Sequence, residues 1–207
     1  MIRLPRSVLL LAAVALLALA GFGMWTLDRK AKRVEQVLSA SEQAGAKGGA
    51  EAQQACTAII GALKEALDNL EGDDKKIPLA TRGHRSLGQC LAHMNRLEDA
   101  VAAYRKAIAL TAETSYLHGE IALLYSRMGQ HMPAQRSARL AVQLDPQVWI
   151  AHRQLARVSA AARQLAQAEA SYEEALKLAP PEQIRKLQDE INQFKEKHES
   201  ARKEEVR

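Results

Sequence analysis

The sequence predicts an all-α protein, a solenoid of three helix–turn–helix repeats with flanking helices and an N-terminal transmembrane or signal segment. A 34-residue period in the small and apolar residues between positions 81 and 182 indicates the repeats. The abundance of Ala, Leu, Gln, Arg, Lys and Glu indicates helix, because these residues lose least free energy in a helix interior. A long apolar run near the amino terminus indicates a membrane-directed segment.

Five columns of residues keep the period of 34. Small residues occupy three columns: Ala100, Ala134 and Ala168; Ala107, Ala141 and Ala175; and Gly88, Ala122 and Ala156. Larger apolar residues occupy the other two: Leu110, Leu144 and Leu178; and Leu87, Ile121 and Leu155. Small residues let the helices of a pair approach closely, and large apolar residues fill the space between successive pairs. The period therefore predicts three packed copies, at residues 81–114, 115–148 and 149–182.

These copies resemble the tetratricopeptide repeat family, and in particular its N-terminally anchored bacterial members. The best matches are the segments LHGEIALLYSRMGQHMPAQRSARLAVQLDP and AQAEASYEEALKLAPP. The family's turn glycine, second-helix aromatic and closing proline are matched by Gly129, by Tyr104 and Tyr172, and by Pro146 and Pro180. Departures stand at the turn, the aromatic and the proline positions: Asn95 and Arg163, Ala138, and Ala112. They concern local geometry, so the resemblance implies the same fold.

Helices are also expected on both sides of the repeats. Residues 183–207 predict a capping helix with one apolar stripe, formed by Ile184, Leu187, Ile191 and Phe194. Residues 51–80 predict an N-terminal helix and loop, either a degenerate fourth repeat or a single long helix. The single helix is favoured, because the stripe from Ala52 to Leu70 keeps its phase through Gly61. Residues 28–50, charged and then glycine-rich, predict a linker, for which a helical start is left open.

Residues 1–27 predict a transmembrane anchor or a signal peptide. Ser7 to Leu27 contains no charged residue, and as a helix it would reach roughly 30 Å, enough to cross a bilayer. Arg3, Arg6 and the small residues up to Ala20 are typical of a cleaved signal peptide. A retained anchor is favoured, because the apolar run continues beyond Ala20. The predicted location is the bacterial inner membrane, with a single span and the repeats in the periplasm; the alternative is a soluble periplasmic chain cleaved at Ala20.

Composition and motifs give no support for catalysis, metal binding or nucleic-acid binding. The formal charge of +5 is modest and is not interleaved with aromatic residues on a basic face. His84, His118 and His152 are 34 residues apart, which places them about 10 Å apart in successive copies, too far to share a zinc ion. No nucleophile, zinc or phosphate-loop motif occurs. We therefore expect a protein that is not an enzyme and needs no cofactor.

The two cysteines, Cys56 and Cys90, leave two possibilities open. An exported chain permits a disulfide. The cysteines are also 34 residues apart, and equivalent positions in successive repeats would lie too far apart to be bridged. A separate helix at residues 51–70 would permit the bridge. Buried free thiols are the favoured interpretation, because cysteine often serves as a small apolar residue.

The resemblance implies that the first helix of each pair lines an inner surface that receives a peptide or a partner's helix. The predicted groove residues are Arg85, Gln89, His93, Tyr116, Leu123, Arg127, Arg153 and Arg157. Several are basic, which favours a protein partner with an acidic segment, although surface arginines are also commonly solvated. Glu120 and Ile150 stand where the chaperone-binding members carry Asn and Lys, so no chaperone clamp is expected. The predicted function is a membrane-anchored scaffold or adaptor that supports assembly of a complex; an enzyme subunit is disfavoured, and the oligomeric state stays open.

Overall fold

The computed structural model describes residues 32–44, 46, 49–68, 70, 76–112 and 114–205, with side chains up to residue 198. Within these ranges the regular structure is helical and no strand occurs, as the sequence predicts. The apolar segment predicted to enter the membrane, residues 7–27, lies outside them. No helix in the described part of the chain combines the length and the hydropathy needed to cross a bilayer.

Nine helices are described. They are α1 (residues 32–44), α2 (Gly49–Asp68), α3 (Ile77–His93), α4 (Leu97–Ala109), α5 (Ser115–Arg127), α6 (His131–Leu144), α7 (Trp149–Ala161), α8 (Leu165–Leu178) and α9 (Pro181–Glu205). The helices α3 and α4, α5 and α6, and α7 and α8 pack as pairs. Successive pairs stack, and α5 also packs directly against α7, whereas no comparable contact joins α6 to α8 in the described chain. The first helices of these two pairs therefore lie side by side on the inner surface.

The small-residue columns lie where the helices approach most closely. Two of the three columns consist of alanines with no exposed surface: Ala100, Ala134, Ala168, Ala107, Ala141 and Ala175. In the third column the ring of Tyr104 covers Gly88, and a methyl group there would lie 3.0 Å from ring carbons. A larger residue in any of these columns would push the helices apart. The 34-residue period is thus a packing period.

The turn between the two helices of each pair has the same backbone shape in all three copies. Asn95, Gly129 and Arg163 are 34 residues apart and adopt φ values of 59°, 72° and 56°. Glycine and asparagine accept this left-handed conformation readily, whereas arginine does so at a cost of about 1 kcal/mol. The departures from the family's turn glycine therefore leave the turn geometry intact.

Residues 32–44 correct the linker predicted at positions 28–50, because they form the packed helix α1. Val34, Leu38, Ser41 and Ala44 are buried along one side of it. Val34 and Leu38 join the apolar cluster that runs through α2, α3 and α4. The continuous helix α2 agrees with the single helix favoured by the sequence, but it packs within a layer that also contains α1. The charged residues and nearby glycines of this segment indicated a linker, although the segment also carries a short apolar stripe.

Cys56 and Cys90 form a disulfide, so the prediction of free thiols is wrong. Their α carbons are 5.1 Å apart, within bridging distance, and both residues are fully buried. The 34-residue separation misleads here because α2 does not occupy the place of a first helix in a repeat. It packs directly against α3 instead. The bond ties the N-terminal helices covalently to the first repeat.

Helix α9 follows the last pair and covers its apolar end. Leu187, Ile191 and Phe194 are buried against α7 and α8, as the predicted stripe requires. Ile184 is 42% exposed, so its predicted place in that buried stripe is wrong. It lies in the first turns of α9, before the side chains that reach the cluster.

Candidate functional site

The eight predicted groove residues all lie on first helices. Three are on α3, three on α5 and two on α7: Arg85, Gln89, His93; Tyr116, Leu123, Arg127; Arg153, Arg157. The structure gives them unequal roles. Gln89 and His93 are partly buried. Leu123 packs against the apolar cluster between α5, α6 and α7, so it contributes mainly to the core.

Arg153 and Arg157 face a carboxylate of the chain itself, Glu190 on α9. Arg153 Nε donates a hydrogen bond to Glu190 Oε2 at 2.7 Å, and Arg153 Nη2 lies 2.6 Å from the same oxygen in an ion pair. The Tyr172 hydroxyl donates to Glu190 Oε1 at 3.2 Å. Arg157 Nε lies 3.8 Å from the same oxygen, and the side chain of Arg157 is 47% exposed. Arg153 is therefore held in the fold, whereas Arg157 keeps nitrogens that face solvent.

Helix α9 is expected to remain in place when a ligand approaches these arginines. Displacing it would expose Leu187, Ile191 and Phe194, each worth roughly 1.5–3 kcal/mol of burial. A partly exposed ion pair with a new carboxylate would return only about 1 kcal/mol. The free energy lost by exposing these apolar side chains exceeds the free energy gained from the ion pair. Helix α9 therefore stays in place and forms a wall of the site.

The arginines at the other end of the inner face are paired with α1. Arg82 donates to both carboxylate oxygens of Glu42, at 3.1 and 3.0 Å, and to Glu35 Oε1 at 2.8 Å. Arg85 lies 3.4 Å from Glu42 Oε1. The hydrogen bond from Arg82 holds the pKa of Glu42 below its usual value. Arg82 was missed by the sequence analysis because its partners lie on the helix taken for a linker.

Arg127, an exposed residue at the end of α5, connects two repeats. Its guanidinium donates to the backbone carbonyl of Ala92 and to Asn95 Oδ1, both at 3.1 Å. Both acceptors belong to the end of α3 and its turn. Arg127 thus fixes the second repeat on the first, which is a structural use of a predicted site residue.

The middle of the inner face holds a polar cluster formed by α5 and α7. Gln154 Nε2 donates to Glu120 Oε1 at 2.8 Å, and the Tyr116 hydroxyl also hydrogen-bonds to Glu120. Burial raises the pKa of Glu120, although Arg157 and Arg153 act in the opposite direction. Burial likewise raises the pKa of Tyr116 to about 12. Tyr116 is 41% exposed, so part of its ring is available to a partner.

Gly119 makes this cluster possible. A Cβ atom at Gly119 would collide with the side-chain amide of Gln154, so only glycine lets α7 place that amide against α5. Gln154 Oε1 is buried and has no hydrogen-bond partner among the described residues. Glu120 and Gln154 were not in the predicted set. The sequence could have indicated them, because Ser86, Glu120 and Gln154 are 34 residues apart, so this position is polar in all three repeats.

Two grooves lie at the ends of the row of first helices. One, of about 560 Å³, is bordered by Arg82, Arg85, Tyr116 and Leu144. The other, of about 1150 Å³, lies between α7, the start of α8, and α9, and includes Arg157 and Phe194. Each has room for side chains of a bound segment.

The histidines show no arrangement for a metal ion. No group of three or more His, Cys, Asp and Glu residues in the described ranges is placed to hold one. His152 Nε2 lies 2.9 Å from the carbonyl oxygen of Pro146, and burial lowers the pKa of His118. These residues contribute to the packing and loops of successive repeats.

The stacked helix pairs and the row of first helices define a helical-repeat solenoid with an inner surface. A family model described as tetratricopeptide repeat matches residues 60–113 and 120–182, more than half of the chain. The chain belongs to the tetratricopeptide repeat family. The match begins inside α2, so it also includes part of the N-terminal layer. Such proteins are generally non-enzymatic scaffolds.

Solved structures are similar to this chain at low sequence identity. TTC0263, a thermophilic tetratricopeptide repeat protein in Thermus thermophilus, has 17% identity and a TM-score of 0.50, covering 78% of this chain and 98% of that one. MamA has 20% identity and a TM-score of 0.46, covering 70% and 77%. The second repeat domain of Spaghetti (RPAP3), bound to the HSP90 peptide SRMEEVD, has 20% identity and a TM-score of 0.45, covering 56% and 95%. A comparison with curated protein sequences found no significant match.

The partly buried carboxylate of Glu120 gives a prediction about stability and pH. Because its pKa is raised in the folded state, the folded chain binds this proton more tightly than the unfolded chain does, and stability falls as the pH rises above the usual range for Glu. We expect Glu120→Gln to raise the melting temperature at pH 8 by roughly 2–4 °C, equivalent to about 1 kcal/mol. The gain should shrink as the pH approaches 4.

Thermal unfolding followed by circular dichroism would measure this effect. Glu169→Gln is the matched control, because Glu169 is exposed on α8. A Glu120→Gln chain that melts below the wild type at pH 8, or a difference that does not change with pH, would contradict the assignment of Glu120 as a partly buried charge.

Proposed function

We propose that this chain is a membrane-anchored scaffold that binds a protein partner along its inner face and supports assembly of a complex at the membrane. The observation that supports it best is the row of first helices with a groove at each end and the half-exposed Tyr116 at the border of the smaller groove. Extended peptides and helices bind to surfaces of this shape by placing side chains in successive pockets. Nothing in the described residues favours a chemical reaction there.

The disulfide supports export of the repeats to an oxidising compartment such as the periplasm. Disulfides persist in secreted and periplasmic proteins and are rare in the reducing cytosol. The Cys56–Cys90 bond is buried between α2 and α3, where it serves the fold. This agrees with an orientation in which residues 1–27 direct the rest of the chain across the membrane.

The position of α1 supports assembly close to the membrane surface. Residue 32 already belongs to the packed helix α1 and is five residues beyond Leu27, so a span that ends at Leu27 lies within about 17 Å of α1. A retained anchor would therefore hold the solenoid next to the bilayer, with little freedom to move away. The alternative is a soluble periplasmic binding module, released by cleavage after Ala20.

The location and processing of the chain give the first test. We expect the chain extracted from membranes to have its full-length mass, and Cys56 and Cys90 to resist alkylation under denaturing conditions until a reductant is added. A soluble chain that begins at Gly21 would contradict the retained anchor and support the periplasmic module released by cleavage after Ala20. Two thiols that react without reductant would contradict export to an oxidising compartment.

The inner face gives the second test, by photo-crosslinking in intact cells. A photoreactive amino acid at position 116 should crosslink to a partner protein, because Tyr116 is half-exposed and borders the smaller groove. The matched control is position 140, where Leu140 is similarly exposed on α6. Crosslinks from position 140 alone, or equally from both positions, would contradict binding at the inner face.

A further inference from the structure

Resting on the proposed function, we propose that the partner segment is acidic, carries a large apolar side chain, and binds in the cleft between α7 and α9. This α7–α9 cleft is the groove of about 1150 Å³ whose walls include Arg157, Lys186, Lys197, Leu165 and Phe194. Three of these five residues lie on the terminal helix, outside the three repeats. The inference therefore assigns α9 a binding role in addition to its role as a cap.

The charge of the cleft favours an acidic occupant. Among the residues whose side chains are described, Arg153, Arg157, Lys186 and Lys197 line it on α7 and α9, with Arg163 in the turn, against the carboxylates of Asp189 and Glu190. Glu190 is already engaged by Arg153. Lys186 and Lys197 are exposed and form no ion pair with any residue the structure describes, and Arg157 is half-exposed. Carboxylates of a bound segment would meet an excess of positive charge here.

The other end of the inner face does not offer this excess. Arg82 and Arg85 there are neutralised by Glu35 and Glu42 of α1, at distances of 2.8 to 3.4 Å. Helix α1 thus supplies carboxylates that pair with the arginines of the smaller groove. We therefore expect an acidic segment to bind in the α7–α9 cleft, where Lys186 and Lys197 form no ion pair with a described residue.

The floor of the cleft favours an apolar side chain between the carboxylates. Phe194 is buried at this floor and packs at a tilt against Tyr172 and His198, with ring centroids 5.5 and 4.7 Å away. Leu165, at the start of α8, is 37% exposed at the edge of the same cleft. A leucine or phenylalanine of the partner would cover the exposed part of Leu165, while flanking acidic residues reach Arg157, Lys186 and Lys197.

Peptide binding to the full-length chain in detergent tests the inference. The probe is a fluorescein-labelled synthetic peptide of glutamates with two leucines, followed by fluorescence anisotropy at low ionic strength. We expect Lys186→Glu with Lys197→Glu to weaken binding by about tenfold or more. The matched control is Lys64→Glu with Lys106→Glu, which makes the same charge change at exposed positions on α2 and α4 and should alter binding by less than about twofold.

Two further peptides separate specific binding from charge attraction. A peptide with the leucines replaced by serine should bind several-fold more weakly, and one with lysine in place of glutamate should not bind. The inference would be overturned if the Lys186→Glu/Lys197→Glu variant and the Lys64→Glu/Lys106→Glu control lost equal affinity for the acidic peptide. It would also be overturned if the Lys186→Glu/Lys197→Glu variant bound that peptide as tightly as the wild type. Circular dichroism checks that both variants keep their helicity.

The outcome can be separated from that of the proposed function. A partner that still crosslinks at position 116 when Lys186 and Lys197 are reversed leaves the scaffold function standing and rejects the α7–α9 cleft. Absence of crosslinks at position 116 with retained, cleft-dependent peptide binding would reject the inner-face scaffold alone and support the cleft.

Discussion

The close approach of helices at small residues is the constraint on which the structure depends. Ala122 and Ala156, in equivalent places of two successive first helices, have no exposed surface, and Gly119 leaves room for the amide of Gln154. Ala122 packs among residues of α6 and α7, and Ala156 packs among residues of α8 and α9. Because Ala122 and Gly119 are small, α5 and α7 lie side by side and form one continuous inner face. The grooves at the two ends of that face, and the cluster around Glu120, follow from this spacing.

The chain's own charges divide this face into unequal parts. Glu35 and Glu42 neutralise the arginines at the α1 end, and Glu190 fixes Arg153 at the α9 end. An arginine on an inner face is therefore not automatically a ligand-binding residue, since a flanking helix can supply its carboxylate. The flanking helices, as much as the repeats, determine what charge is left for a partner, and in this chain the excess lies in the α7–α9 cleft.

The repeats could be predicted from the sequence because their packing imposes a strict period, and even the unusual turn residues Asn95 and Arg163 keep that period. The packing of the N-terminal helices α1 and α2 could not be predicted from the sequence. Helix α1 has few apolar residues and lies beside glycines, and the place of α2 against α3 follows only from how the two helices dock. For the same reason the Cys56–Cys90 bond was missed, since a sequence separation gives no distance between helices of different kinds. The roles of Arg127 and Arg153 depended on partners in other elements, which periodicity does not identify.

The central claim, that small residues set the stacking and so the inner face, is tested most directly by thermal unfolding of Ala122→Leu beside Ala102→Leu. Ala122 is fully buried between helices, whereas Ala102 is exposed on α4. The added leucine atoms have no space at position 122, so we expect a loss of about 1–3 kcal/mol and a melting temperature several degrees lower. At position 102 we expect a change within about 0.5 kcal/mol. An Ala122→Leu chain as stable as Ala102→Leu would contradict the account.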